Sequence, residues 1–157
     1  MLVGIALSEK KVGSIDDLAE KYVPDLKGHP YGETPIRHLL TMTSGVKFVE
    51  VYNGNDDVMK LGTAILFQEG PGGAAALNSY RERIAPPGQR WSYASSETFV
   101  LALVLRGATG ENLSDYTSRV LWQPMGAESG TATRRATKWA TAASARRCAT
   151  GHGSGCC

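Results

Sequence analysis

The chain has 157 residues, of which 42% are hydrophobic and 20% are charged, and its formal net charge is +2. These proportions are ordinary for one soluble domain, and no apolar run approaches the roughly 18–20 residues of a membrane span, so we predict none. All three cysteines lie after residue 147, which excludes a disulfide framework for the rest of the chain.

Helical patterns account for the first third of the chain. Residues 2–7 are almost all apolar and lead into two lysines, which is typical of the C-terminal half of a buried helix. Because no capping residue precedes them, we expect that the first turns of this helix are missing. Ser14 and two carboxylates after it predict a short helix that Pro24 ends, followed by a polar loop over residues 25–33. Residues 34–42 predict another helix, with a threonine N-cap and a proline in its first position.

Further helical patterns follow up to Pro124. The predicted elements are, in order, a loop over residues 46–55, helices over 56–66, 74–84 and 98–105, and a last helix that starts at Asn112 or Ser114. Residues 70–73 end the first of these helices, Ser95 or Ser96 caps the buried helix 98–105, and Gly107 and Gly110 follow it. The body is therefore predicted to be mainly α, with little strand signal.

The loop over residues 86–95 presents a tyrosine directly before the buried helix. Its two prolines fix φ, and its glycine supplies a tight turn. Tyr93 is thus held two residues before a rigid element, as a functional side chain requires. From these residues alone two interpretations stay open: a functional tyrosine, or an aromatic side chain at the edge of the core with its hydroxyl hydrogen-bonded.

Residues 127–157 differ from the rest of the chain in composition and in charge. Residues 127–157 contain no Leu, Ile, Val, Phe, Tyr or Met, and carry five Lys and Arg against one Glu; residues 1–126 carry twelve against fourteen Asp and Glu. Such a segment cannot bury a core, so we predict a disordered tail. GC-rich coding DNA read in a wrong frame yields the same composition, and we hypothesise a frameshift near Glu128.

The residue pattern of the tail does not indicate a binding site. Cys148, His152, Cys156 and Cys157 have metal-like spacing, but they lie in a low-complexity segment without an ordered second shell, and we predict no metal and no cofactor. Its cations are more typical of a solvated tail than of a nucleic-acid site, so no nucleic acid is predicted as a partner.

Several stretches of the chain resemble one family in order and spacing. Residues 35–45 (PIRHLLTMTSG) resemble a signature of the serine hydrolases of the β-lactamase/penicillin-binding-protein superfamily, in the class C β-lactamase-like and esterase branch. Supporting stretches are residues 2–7 with 13–17, 21–24, 87–95 and 121–126. Residues 45–48 and the Tyr-Ala-Ser spelling are similar to 6-aminohexanoate-dimer hydrolases. Over residues 1–126 the resemblance implies the helical part of an α/β β-lactamase/transpeptidase-like fold, with most of the central sheet missing.

The resemblance also implies a chemistry. Members of this family attack amide, ester or β-lactam bonds of small molecules with the serine of a Ser-x-x-Lys motif, and backbone N–H groups form the oxyanion hole. Tyr93 matches the tyrosine of the Tyr-x-Asn/Ser motif, which moves protons, and Ser95 matches its third position. A phenol with a pKa near 10 needs roughly 4 kcal/mol of phenolate stabilisation to act near pH 7, which the motif lysine supplies.

The chain departs from the family pattern in one decisive respect. It contains no Ser-x-x-Lys at a matching position, which would fall roughly two helical turns before Met1. The late Lys/His-x-Gly element is also absent. We therefore expect a fragment that is inactive by itself; the alternative is a non-catalytic helical binding or interaction protein. Ser44 is interpreted as a turn residue and His38 as a packing residue.

The location of the protein stays open at this stage. Residues 1–7 are apolar, but no basic segment precedes them and no cleavage site follows, so we predict no signal peptide in this chain. The sequence is compatible with a cytoplasmic or a periplasmic protein.

Overall fold

The computed structural model describes residues 1–67, 73–127, 130–131 and 145–146. The chain divides into two compact units, Met1–Gly110 and Glu111–Cys157. The described part of the first unit contains the helices α1 (Leu2–Ser8), α2 (Ile36–Leu40), α3 (Asp57–Phe67) and α4 (Ser95–Thr109). It also contains 3₁₀ turns at Ala19–Lys21, Pro24–Leu26 and Gly73–Leu77. The predicted mainly helical character is confirmed.

Helix α4 is the centre of the first unit. It packs against α1, α2 and α3 and against the 3₁₀ turns at Ala19–Lys21 and Gly73–Leu77. Its buried apolar residues recur at helical spacing; they are Phe99, Val100, Leu103, Val104 and Leu105. Burying each such side chain contributes about 1.5–3 kcal/mol, so this face organises the core. The helix ends at Gly110, which adopts the left-handed conformation with φ +72°.

Gly107 lies inside α4 and does not interrupt it, contrary to the prediction. A Cβ at this position would lie 1.9 Å from the carbonyl oxygen of Tyr22. The glycine therefore lets the helix approach the backbone that follows the first 3₁₀ turn. Of the two predicted punctuating glycines, only Gly110 ends the helix.

The predicted helix after Ser14 is wrong. The Asp17 carboxylate accepts hydrogen bonds from the Ser14 N–H (3.0 Å) and the Tyr22 hydroxyl (2.6 Å), which closes a turn. Local polar contacts of this kind compete with helix formation. Two 3₁₀ turns follow, and Pro24 begins the second of them where it was expected to end a helix.

The predicted polar loop over residues 25–33 is irregular after the 3₁₀ turn at Pro24–Leu26, as expected, but two of its side chains belong to the core. His29 and Tyr31 are 2% and 0% exposed. The His29 ring accepts the Tyr31 N–H at Nδ1 (3.2 Å), so Nε2 carries the proton and donates to the Leu77 carbonyl oxygen (3.0 Å). Burial lowers the pKa of His29 and keeps the ring neutral.

Helix α2 forms where it was predicted, but its cap differs. Pro35 is the N-cap, and the Thr34 hydroxyl donates to the Pro30 carbonyl oxygen (2.7 Å) and does not cap the helix. Ile36 and Leu39 are buried, whereas Leu40 remains half exposed.

Helix α3 begins as predicted, and the stretch that follows differs. The Asp56 carboxylate accepts the N–H of Met59 (3.2 Å), as an N-cap does. The predicted glycine stop over residues 70–73 lies mostly outside the described residues. The predicted helix over 74–84 is only a 3₁₀ turn at Gly73–Leu77, and Arg83 instead forms a β-bridge with Val46.

The second unit begins with α5 (Leu113–Thr117), with Asn112 as its N-cap, which agrees with the predicted start. A turn of π-helix follows at Ser118–Trp122, and two-residue strands β1 (Gly130–Thr131) and β2 (Ala145–Arg146) pair antiparallel. The predicted disordered tail and its Cys/His cluster lie largely outside the described residues. Among the helices that the structure describes, none has the length and apolar character needed to cross a membrane.

Candidate active site

The loop that carries Tyr93 is tied to the end of α2. The Gly88 N–H donates to the Thr43 carbonyl oxygen (2.8 Å), and the Ser92 N–H donates to the Met42 carbonyl oxygen (3.0 Å). Gly88 has φ +87°, and a Cβ there would lie 2.7 Å from the His38 ring. His38 therefore packs against this loop, as predicted, and the loop has a fixed path.

Tyr93 is not part of the core. Its side chain is 52% exposed, and the backbone at Ala94 is extended, with φ −149° and ψ 113°. Ser95, the first residue of α4, follows directly. Tyr93 and Ser95 therefore flank one extended residue at the entry to α4.

The Glu50 carboxylate accepts hydrogen bonds from the first residue of α4. Its Oε2 accepts the Ser95 N–H (2.8 Å), and its Oε1 accepts the Ser95 hydroxyl (2.7 Å). Ala94 is the N-cap and makes no side-chain cap bond, so the predicted serine cap is wrong. Ser96 is buried and its hydroxyl bonds to that of Tyr31 (2.6 Å). A carboxylate at a helix N-terminus replaces the cap and complements the helix dipole.

Tyr52 shares the Glu50 carboxylate with Ser95. The Tyr52 hydroxyl donates to Glu50 Oε1, and this bond raises the pKa of Tyr52 to about 12. Burial and the Glu50 charge act in the same direction, and the nearby Tyr93 phenol adds to them. The hydroxyls of Tyr52 and Ser95 thus donate to the same oxygen of one carboxylate.

A buried polar pair lies beneath this loop. The Ser44 hydroxyl donates to Glu97 Oε1 (2.6 Å), and both side chains are buried. Burial raises the pKa of Glu97 to about 7, and the hydrogen bonds from Ser44 partly oppose this shift. Arg83 donates to the Ser44 carbonyl oxygen (2.6 Å) and so fixes the turn. Ser44 is a buried structural hydroxyl, in line with its interpretation as a turn residue.

The sequence Ser-x-x-Lys occurs twice in the chain, at residues 8–11 and 44–47. In neither copy does the structure show a hydrogen bond between the serine hydroxyl and the lysine. In the copy that begins at Ser44, the Lys47 ammonium pairs with Glu82 at 2.7 Å while the serine faces Glu97. In the copy that begins at Ser8, the hydroxyl donates to the Ile5 carbonyl oxygen (2.7 Å) at the end of α1. Both spellings are therefore structural.

A cleft of about 410 Å³ lies between α3 and the 3₁₀ turn at Gly73–Leu77. Its two lysines are already paired, Lys47 with Glu82 (2.7 Å) and Lys60 with Asp57 (3.4 Å). Neither Tyr93 nor Ser95 lines it. The charges of these lysines are therefore compensated within the walls of the cleft.

Sequence reasoning proposed Tyr93 and Ser95 as site residues, and it did not single out Glu50, Tyr52 or Glu97. The first two lie in a stretch without periodicity, where nothing local indicates that a side chain reaches α4 forty-five residues later in the chain. Glu97 falls in the first turn of α4, where a carboxylate is expected at the surface for the helix dipole. Its burial depends on the turn at Ser44, which no helical pattern encodes.

Comparison with known proteins identifies the family. The profile of the beta-lactamase family matches residues 1–154. The chain therefore belongs to the beta-lactamase family, whose members are serine hydrolases. This confirms the resemblance carried by residues 35–45, and the helical architecture is that of a part of the β-lactamase/transpeptidase fold.

Individual relatives cover most of this chain but only part of their own length. Penicillin-binding protein 4* of Bacillus subtilis (strain 168) is 28% identical over 128 residues, or 78% of this chain and 26% of that protein. A Bacillus anthracis protein described as a 6-aminohexanoate-dimer hydrolase superposes with a TM-score of 0.67 at 23% identity, over 82% of this chain and 35% of that one. A class C beta-lactamase mutant gives 0.58 at 18% identity, over 81% and 31%. The chain thus spans 26% to 35% of the length of these relatives.

Proposed function

We propose that this chain is part of a serine hydrolase that cleaves amide or ester bonds of small molecules through an acyl-enzyme, and that Tyr93 transfers protons in this reaction. The observation that carries the proposal is the exposed Tyr93 on a fixed loop, directly before α4, in a chain that belongs to the beta-lactamase family. Ser95 stands beside it as a hydrogen-bonding group. The substrate class includes amides, esters and β-lactams, in keeping with the names of the similar proteins.

The chain by itself is proposed to be inactive. A tyrosine that accepts a proton near pH 7 needs a cation close to its hydroxyl, as a lysine ammonium provides. Within the described residues, no lysine or arginine hydrogen-bonds the Tyr93 hydroxyl, and both Ser-x-x-Lys spellings are engaged elsewhere. The nucleophile and its lysine would come from residues that these 157 do not include.

Covalent labelling tests this proposal. The 157-residue protein is treated with a fluorophosphonate probe and assayed with nitrocefin and p-nitrophenyl acetate. We expect no labelling and no turnover above the uncatalysed rate, since neither serine of the two Ser-x-x-Lys sequences is hydrogen-bonded to its lysine in the structure. Labelled protein, with the modified serine located by mass spectrometry, would contradict the proposed inactivity and identify a nucleophile among these residues.

Sequencing the gene locus provides a second test of the proposed function. We expect an upstream extension of the reading frame that encodes Ser-x-x-Lys, and its product should be labelled at that serine. In that product Tyr93→Phe should lower kcat by about 10²–10⁴-fold, as the loss of a general acid–base does. Tyr22→Phe is the matched control, because the Tyr22 hydroxyl bonds to Asp17 within a turn. An unchanged kcat in Tyr93→Phe would refute the assigned role.

A binding module is the second candidate, and the engaged Ser-x-x-Lys copies favour it. In that case the chain would bind a small amide or ester without turnover. Calorimetric titration of the 157-residue protein with a slowly hydrolysed amide tests this candidate, which requires binding. Wild-type affinity in Tyr93→Phe would place the ligand away from Tyr93.

A further inference from the structure

Glu50 is the point at which two distant segments meet. Its two carboxylate oxygens accept the N–H and the hydroxyl of Ser95 and the hydroxyl of Tyr52. The Ser95 N–H has no intrahelical acceptor, because it belongs to the first residue of α4. Hydrogen bonds to a charged acceptor are roughly twice as strong as neutral ones, so this carboxylate dominates the local geometry.

The loop that carries Glu50 is itself held in place. Asp56, which is 4% exposed, accepts the N–H groups of Val51 (2.8 Å) and Tyr52, and it also caps α3. Burial alone would raise the pKa of Asp56, but these backbone bonds outweigh it and leave the pKa below its ordinary value. Asp57 accepts the Val49 N–H (2.9 Å). The loop is therefore anchored on both sides of Glu50.

The backbone at Tyr52 is strained in a way that supports a specific role. Its φ is +56°, the left-handed region that costs a non-glycine residue about 1–2 kcal/mol. Strain of this kind persists where the surroundings enforce it, and it clusters at functional sites. Here it accompanies the hydrogen bond from the Tyr52 hydroxyl to Glu50.

We propose that Glu50 is a positioning residue for the Tyr93–Ser95 site: it fixes the start of α4 against the Tyr52 loop and thereby sets where the Tyr93 ring stands. The catalytic consequence rests on the proposed function, whereas the positioning itself does not. A helix cap alone would affect only the Ser95 amide. A positioning residue must also govern the ring of Tyr93, to which it makes no hydrogen bond in the structure.

The test uses the 157-residue protein and needs no enzymatic activity. Amide hydrogen exchange at Ser95 and the ring signals of Tyr52 and Tyr93 are measured by NMR in wild type, Glu50→Ala and Glu50→Gln, with tyrosine signals assigned through Tyr52→Phe and Tyr93→Phe. Glu82→Gln is the matched control, since it also removes one carboxylate charge from an exposed glutamate that accepts a hydrogen bond from Lys47.

We expect Glu50→Ala to speed the exchange of the Ser95 amide by about tenfold or more, as the loss of one hydrogen bond to a charged group predicts. The ring signals of both tyrosines should shift with it. Glu50→Gln keeps one carbonyl oxygen and should give an intermediate effect, and amides in the core of α4 should be unchanged. Should Glu50→Ala not fold, the comparison of Glu50→Gln with Glu82→Gln decides the question.

Two outcomes would overturn the inference. Unchanged exchange at Ser95 in the Glu50 variants would show that the contact does not form in solution. Faster exchange at Ser95 with unmoved Tyr93 signals would reduce Glu50 to a helix cap. Both results are independent of hydrolysis, so absent turnover in any longer form would refute the proposed function without affecting this inference.

Discussion

At the scale of single residues, the buried carboxyl of Glu97 has the clearest consequence for stability. Burial raises its pKa from the ordinary 4.5 to about 7, because the charged form loses solvation beneath the Ser44 turn. The folded state therefore holds this proton more tightly than the unfolded state. Stability that is present below pH 4.5 must fall as the pH rises through about 7, and the penalty is complete above that value.

We predict that Glu97→Gln stabilises the protein above pH 7. The amide keeps a carbonyl oxygen for the Ser44 hydroxyl and carries no charge, so the gain at pH 8 relative to pH 5 should be on the order of 3 kcal/mol, at about 1.4 kcal/mol per unit of pKa shift. Urea unfolding at the two pH values measures it, with Glu82→Gln as the control. A wild-type stability that does not fall between pH 5 and pH 8 would contradict the assignment.

The buried hydroxyl of Ser96 provides a second prediction at this scale. It pairs with the Tyr31 hydroxyl at 2.6 Å, and both side chains are fully buried. We expect Ser96→Ala to destabilise the protein by about 1–3 kcal/mol, because the Tyr31 hydroxyl loses its partner. The change is measured by urea unfolding. Tyr31→Phe combined with Ser96→Ala should recover part of the loss, and a double variant that is less stable than Ser96→Ala would argue against this explanation.

At the scale of elements, α4 depends on close approach to a neighbouring backbone. Gly107 leaves no room for a Cβ beside the Tyr22 carbonyl, whereas a Cβ at Gly62 in α3 meets nothing within 4 Å. The same substitution should therefore have opposite effects in two helices. The effect of alanine on stability is set by packing at position 107 and by helix propensity at position 62.

We predict that Gly107→Ala destabilises the protein by about 1–3 kcal/mol, as overpacking does. Gly62→Ala should stabilise it by about 0.5–1 kcal/mol, since alanine loses less backbone entropy in a helix. Thermal and urea unfolding of both variants measure the difference. Equal effects on the two helices would mean that α4 does not approach Tyr22 as closely as the structure shows.

At the scale of the whole molecule, the division between residues 1–126 and the tail remains a prediction. The family profile extends to residue 154, while the composition after Ala127 cannot supply an apolar core. Both statements concern the sequence, and the few described residues beyond 127 form only a two-stranded pair. Removal of the tail is therefore informative.

We predict that deletion of residues 128–157 leaves the unfolding midpoint of the protein unchanged within about 2 °C, because a segment without buried apolar area contributes little to folding stability. Differential scanning calorimetry measures the midpoint, and size-exclusion chromatography checks that the shortened protein is monodisperse. A clearly lower midpoint would show that the tail packs on the remaining chain and that the disorder hypothesis is wrong.

The sequence by itself determined the family and the helices with strong local signals. The stretch around Pro35 was sufficient for the resemblance, and the apolar spacing of α4 and the predicted starts of α3 and α5 agree with the structure because such signals are local. Tyr93 was singled out from its own loop, and its role remains a prediction. The predictions failed where local polar contacts competed with a helix, as at Asp17.

Only the tertiary structure decided which groups contact the first turn of α4, which follows Tyr93. The contacts from Glu50 to Ser95 and from Ser44 to Glu97 join residues 45 and 53 positions apart. No periodicity or cap encodes such pairs, because they form when α4 packs against the turns that follow α2. Burial then sets the charge state of Glu97, and a strained backbone at Tyr52 sets the direction of its side chain. Both effects are properties of the packed chain, since neither solvation nor the path of a loop is fixed by neighbouring residues alone.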